Sequence, residues 1–140
     1  MIKIWNFIDK KLEVSEWVGE PLQSIAFHPS GFHLLAGMSD KLRMMNVFSS
    51  SIERYKEIPI KMCREVKFSN GGHFFAAANG HVVSVYNFYT GENPPHMNFK
   101  GHSLKIKRIS WLKDDTGLIS MATDGSIFEW RLGSKMSEAP

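Results

Sequence analysis

Apolar positions along the chain recur in short alternating runs, not at helical spacing. In Lys105-Ile106-Lys107 the alternation places Ile106 on one face and both lysines on the other. Val66-Lys67-Phe68 and Ile127-Phe128-Glu129-Trp130 are rich in β-branched and aromatic residues, as half-buried strands are. Turn formers bound the runs: His28-Pro29-Ser30-Gly31, Ser69-Asn70-Gly71-Gly72 and Asp114-Asp115-Thr116-Gly117. Asn79-Gly80 and Asp124-Gly125 are dipeptides that tolerate positive φ in tight hairpins. Helical amphipathicity is not sustained, and Ser51 to Ile60 reads as a loop and an outer strand. The pattern predicts an all-β chain.

The runs repeat. An aromatic closes one strand of each unit at Phe27, Phe68 and Trp111, spaced by 41 and 43 residues. A large residue closes another at Trp5, Met45, Tyr86 and Trp130, spaced by 40, 41 and 44. Ile2-Lys3-Ile4-Trp5-Asn6 is then the tail of a truncated fourth unit. A period of about 40–45 residues with several short strands per unit is the signature of a β-propeller.

The repeat resembles the WD-repeat family, most clearly in its last copy. That copy carries Gly101-His102, Trp111, Asp114-Asp115, Ser120, Asp124-Gly125, and Trp130-Arg131 where the family has Trp-Asp. The resemblance implies a structural hydrogen-bonded tetrad of His102, Ser120, Asp124 and Trp130, with Thr123 as an alternative hydroxyl. The first full unit has Val18-Gly19-Glu20 and Met45-Asn46 at those places, and the second has Ile58-Pro59-Ile60 and Tyr86-Asn87. Neither builds the tetrad, so both are expected to rest on apolar packing.

Longer runs carry a narrower resemblance: Phe27 to His33, Ser39 to Asn46, Phe68 to His73 and Gly80 to Tyr86. They look like part of the propeller region of WD-repeat proteins of motile cilia. This implies an axonemal scaffold that helps to place inner dynein arms on doublet microtubules. Those relatives also carry a long coiled coil, which this chain lacks. The competing expectation is a generic cytosolic WD40 adaptor or substrate receptor that binds short peptide motifs.

Composition narrows the chemistry. The chain has 43% hydrophobic and 22% charged residues, a globular balance. No apolar run approaches the roughly 20 residues that span a bilayer, and the N-terminus lacks a signal-peptide layout, so a cytoplasmic location without membrane is expected. The single cysteine, Cys63, reads as a buried hydrophobe at the start of an inner strand. The six histidines have no ligand spacing, and neither a Gly-x-Ser-x-Gly elbow, a phosphate loop nor a His-Glu-x-x-His motif is present. No enzyme, metal or cofactor is expected. Asp114-Asp115 reads as a turn pair whose carboxylates bond local amides.

Net charge is +3, too small alone to indicate nucleic acid. Its distribution is uneven: Lys100, Lys105, Lys107 and Arg108 fall within nine residues. With Lys41 and His81 on neighbouring turns, Lys100, Lys105 and Lys107 form a candidate partner-binding patch. It would steer an acidic protein, such as a tubulin surface or a dynein-complex segment. Nucleic acid is disfavoured because the aromatics fall mostly at expected core registers.

The expected architecture is a partial WD40 propeller over residues 1–132, in units of about 1–17, 18–58, 59–100 and 101–132, with a flexible polar tail at 133–140. A strand is expected near Ile2–Phe7 and an outer one near Leu12–Trp17, then two four-stranded blades and three strands of another. Propellers typically close with four to eight blades. The chain is therefore expected to need further blades or a partner, and to self-associate when alone.

Overall fold

The computed structural model describes residues 1–132, so the tail expected at 133–140 lies outside the described residues. The chain is all-β, and its strands form four antiparallel sheets consistent with blades of a partial propeller. Blade one is the pair β1 (Ile2–Asn6) and β2 (Lys11–Glu16). Blade two runs in order β3 (Ser24–Phe27), β4 (His33–Gly37), β5 (Leu42–Val47) and β6 (Ile52–Ile58). Blade three is β7 (Cys63–Phe68), β8 (Phe74–Asn79), β9 (Val82–Asn87) and β10 (Asn98–Lys100). Blade four is β11 (Ile106–Trp111), β12 (Gly117–Ala122) and β13 (Ile127–Arg131). The first two strands each end one residue short of the expected bounds.

The registers repeat with the sequence. Ile25 lies opposite Ala36, Val66 opposite Ala77, and Ile109 opposite Ser120. Blades two and three are flanked on both faces, so their second strands are apolar at successive positions and divide them by the two-residue pleat. Leu34 and Ala36 of β4 face blade one, packed with Ile2 and Val14. Leu35 faces the other way, packed with Val66, Phe75 and Ala77 of blade three. Ala76 and Ala78 in turn pack with Ile106, Ile109 and Leu118 of blade four. The three apolar cores are thus the three seams between blades.

Polar contacts lock the same seams. The His28 Nε2–H donates to the carbonyl of Gly72 at 3.0 Å, and Ser24 Oγ donates to the carbonyl of Cys63 at 2.8 Å. A Cβ on Gly72 would sit 2.5 Å from His28 Nε2, and Gly72 has φ +80°, so only glycine lets the imidazole in. Trp111 Nε1 donates to the carbonyl of Lys67 at 3.1 Å across the next seam.

Blade one lacks the inner half that its neighbours have. Val66 and Ile109, the equivalents of Ile25, are 1% and 3% exposed because a preceding blade covers them. Ile25 and Phe27 are 52% and 48% exposed. Trp5, Phe7 and Trp17 of blade one are also exposed. The expectation that aromatics fall at core registers holds for Phe68, Phe75 and Phe88 but fails on blade one, for Phe27, Phe32, Phe48 and Tyr55 of blade two, and for Tyr89 of blade three. At Ile25, exposure is set by the missing neighbour and not by residue type, since Val66 and Ile109 at the same register are buried.

Candidate functional site

Two constellations carry the chain's polar chemistry. The first is a hydrogen-bond chain inside blade four. His102, on the loop after β10, is 3% exposed, and Ser120 on β12 is fully buried. Trp130 Nε1 donates to Ser120 Oγ at 2.8 Å, and Ser120 Oγ lies 2.7 Å from His102 Nε2. His102 Nδ1 lies 3.1 Å from Ser126 Oγ, which donates to Asp124 Oδ1 at 2.7 Å. Because the Ser126 hydroxyl is spent on Asp124, His102 Nδ1 must carry the proton and Nε2 must accept from Ser120. Donors and acceptors then run in one direction from Trp130 to Asp124, an arrangement in which each bond polarises the next.

All four residues of the proposed tetrad meet in this chain, and a fifth, Ser126, joins them. Asp124 reaches His102 through Ser126. Its carboxyl is held below the usual range by the Ser126 backbone N–H, then by the Ser126 hydroxyl. Thr123 is exposed and its N–H donates to the carbonyl of Lys105. The sequence signal for Ser126 was present: a Ser two residues after Asp in Asp124-Gly125-Ser126 is an Asx-turn pattern.

The other blades replace the network entirely. Where blade four has His102, Ser120 and Trp130, blade three has Ile60, Ala77 and Tyr86, packed in one apolar cluster. Blade two has Val18, Ala36 and Met45, likewise clustered. Exchanging all the polar partners together leaves nothing unsatisfied, which is the inexpensive way to lose a buried network.

The second constellation is the basic edge. The N–H of Ile106 donates to the carbonyl of Gly80 at 2.9 Å, joining the β8–β9 turn to the start of β11. Lys100 pairs with Val82 in the ladder beside that turn. His81, Lys100, Lys105 and Lys107 are exposed, while Ile106 between the last two is 4% exposed. None of these lysines is in an ion pair among the described residues.

Lys41 stands apart, on the equivalent turn of blade two. Its ammonium is 2.8 Å from Glu20 and 3.3 Å from Asp40. The bond to Glu20 holds it above the usual lysine range. Arg43 on the same blade is matched by Glu20 and Glu57. The exposed aromatics Trp5, Phe7 and Trp17 lie on blade one, away from the unmatched lysines, so the basic edge offers charge without those stacking rings.

Other candidates are structural. Cys63 is fully buried, and burial pushes its thiol up to about 11, so little thiolate forms at neutral pH. Asp114 bonds the local N–H and hydroxyl of Thr116, as expected. Asp115 departs from expectation: both its oxygens cross to backbone N–H groups of blade three. His28 and His33, distant from any ligand spacing, have ring centroids 5.6 Å apart.

No family model matches the chain. Its curated relatives include cilia- and flagella-associated protein 57 A of Tetrahymena thermophila, 46% identical over 131 residues, covering 94% of this chain and 10% of that protein. Cilia- and flagella-associated protein 57 of Mus musculus is 39% identical over 137 residues, covering 98% of this chain and 11% of the relative. Cilia- and flagella-associated protein 52 of Bos taurus is 26% identical over 133 residues, with 91% and 21% coverage. The chain spans about a tenth of the length of the first two.

Proposed function

We propose that the chain is part of a WD-repeat protein of the cilia- and flagella-associated kind, acting as a non-catalytic protein–protein scaffold in the ciliary axoneme. The observation that carries this reading is the 39–46% identity, along nearly the whole chain, to proteins so named. The order of the sheets supports it, since stacked blades present turns at a shared rim while their seams are filled with packed side chains. The finer role is to help position inner dynein arms on doublet microtubules.

In this reading the basic edge of His81, Lys100, Lys105 and Lys107 faces an acidic protein such as tubulin or a dynein-complex segment, while Lys41, already paired with Glu20 and Asp40, stays outside it. Unmatched surface charge accelerates encounter with an oppositely charged partner more than it deepens affinity. The exposed Ile25 and Phe27 and the free inner edge of β1 support a second requirement: two further strands to fill blade one. Covering the exposed half of two such side chains contributes about 0.8–1.5 kcal/mol each.

Proximity labelling in ciliated cells tests the proposal. A biotin-ligase fusion is expected to label doublet-microtubule and dynein-arm proteins. Labelling confined to soluble cytosolic proteins overturns the axonemal reading in favour of a cytosolic adaptor.

A further inference from the structure

Between the entries of β7 and β11 lies a small cavity on the seam of blades three and four. Met62, Ala78 and Ile106 make it apolar, Asn79 and Gly80 form one wall, and Arg64 and Lys105 stand at its rim. Its volume is about 100 Å³. A water takes about 30 Å³, and an apolar cavity of about 150 Å³ holds benzene. The space therefore suits one short aliphatic side chain.

The backbone around it is fixed and unusual. Met62 has φ +55°, uncommon for a non-glycine residue, and is 38% exposed. Its N–H donates to the carbonyl of Ser39 and its carbonyl accepts from Arg64, both within 2.9 Å. Methionine is a side chain that adapts its shape to what it contacts. The bond from Ile106 to Gly80 closes the seam beside the cavity.

The charge of this rim is one-sided. Segments 59–66 and 100–108 carry Lys61, Arg64, Lys100, Lys105, Lys107 and Arg108 against a single acid, Glu65. Glu65 is engaged with the N–H of Ile109 at 3.2 Å. Blade two treats its cations differently, since Lys41 and Arg43 are both matched by carboxylates. On the third seam Lys61, Arg64, Lys100, Lys105 and Lys107 are in no ion pair among the described residues, a local run of positive charge open to an outside partner.

We propose that this cavity takes an acidic peptide segment, seating one aliphatic side chain between Met62, Ala78 and Ile106 while flanking carboxylates meet Arg64 and Lys105. This deepens the reading of the basic edge as a protein-docking surface and rests on it. It adds Arg64 and Met62 to the residues involved.

Fluorescence polarisation with a labelled Asp-Glu-Leu-Asp-Glu peptide tests it. The wild-type chain is expected to bind this peptide, and binding should fall about tenfold in the Arg64→Glu, Lys105→Glu double variant. Replacing the peptide's Leu by Ala should weaken binding several-fold, and Lys67→Glu, outside the cavity lining, should leave it unchanged. Unaltered circular dichroism checks that the exposed substitutions leave the fold intact. Absence of binding, or equal binding by the Leu and Ala peptides, overturns the cavity proposal. If proximity labelling meanwhile remains axonemal, the scaffold reading stands without it. Equal losses from Lys67→Glu and the double variant would reduce the effect to general charge and also overturn it.

Discussion

The carboxylate of Asp115 accepts the backbone N–H of Gly71 at 2.7 Å, tying a turn of blade four to the equivalent turn of blade three. Its other oxygen takes the N–H of Asn70 at 2.8 Å and the Asn70 side-chain amide at 2.9 Å. Asp115 holds φ +59°, a conformation that Asp and Asn tolerate better than most residues. Asn70 returns a bond to the carbonyl of Leu112 at 2.8 Å. The seam is therefore cross-linked from both sides.

Replacing Asp115 with Ala removes these bonds and burdens a left-handed backbone position. The expected loss is about 2 kcal/mol in urea unfolding, with a smaller loss for Asp115→Asn. Amide exchange at Asn70 and Gly71 should quicken in Asp115→Ala. Unchanged exchange at those two amides would show that the carboxylate does not hold the seam.

The hydrogen-bond chain of blade four predicts strong non-additivity. Ser120→Ala alone strands His102 Nε2 and the Trp130 indole N–H in a buried site, for an expected cost of about 2–3 kcal/mol. The triple variant His102→Ile, Ser120→Ala, Trp130→Tyr copies the apolar solution of blade three. Its destabilisation should be well below the sum of the three single variants. Simple additivity in denaturant titrations would mean that the chain does not act as a unit.

Acid should loosen the seam between blades two and three. The N–H of Ser30 donates to His28 Nδ1 at 3.1 Å, so Nδ1 accepts and Nε2–H donates to Gly72. Protonation would set a second N–H against that of Ser30. Burial is the main cause that lowers the His28 pKa, with His33 and His73 adding repulsion against the opposing pull of the Gly72 carbonyl. Phe68, Phe88 and Tyr89 complete its surroundings.

Folded His28 thus binds a proton more weakly than the unfolded chain, whose histidine titrates near 6.5. Its contribution is full above that pH and declines as pH falls from there toward the lowered folded value. The unfolding midpoint of the wild type should drop from about pH 7.5 to about pH 5.5, and His28→Gln should show a smaller drop. An equal drop in both would assign the effect to other groups.

What the sequence reveals and conceals follows from the range of each interaction. The registers of Trp5, Met45, Tyr86 and Trp130 are legible because a strand's pattern is local and the repeat reports it four times. His102, Ser120 and Trp130 are legible for the same reason. The Asx-turn spacing of Ser126 to Asp124 lies in plain sequence, whereas its contact with His102, 24 residues away, does not. Asp115 reads in sequence as a local turn residue because its partners lie 44 and 45 residues away, on a turn that only blade stacking brings near. The exposure of Ile25 is equally hidden, since Val66 and Ile109 occupy the same register and differ only in having the inner strands of a preceding blade beside them. Arg64 and Met62 drew no attention alone, because their cavity exists only between two blades.

Detergent extraction of cilia separates the proposed axonemal scaffold from a cytosolic adaptor. The tagged protein should remain with the microtubule skeleton after detergent and a salt wash. Quantitative recovery in the soluble fraction, with none retained on the axoneme, would contradict the claim.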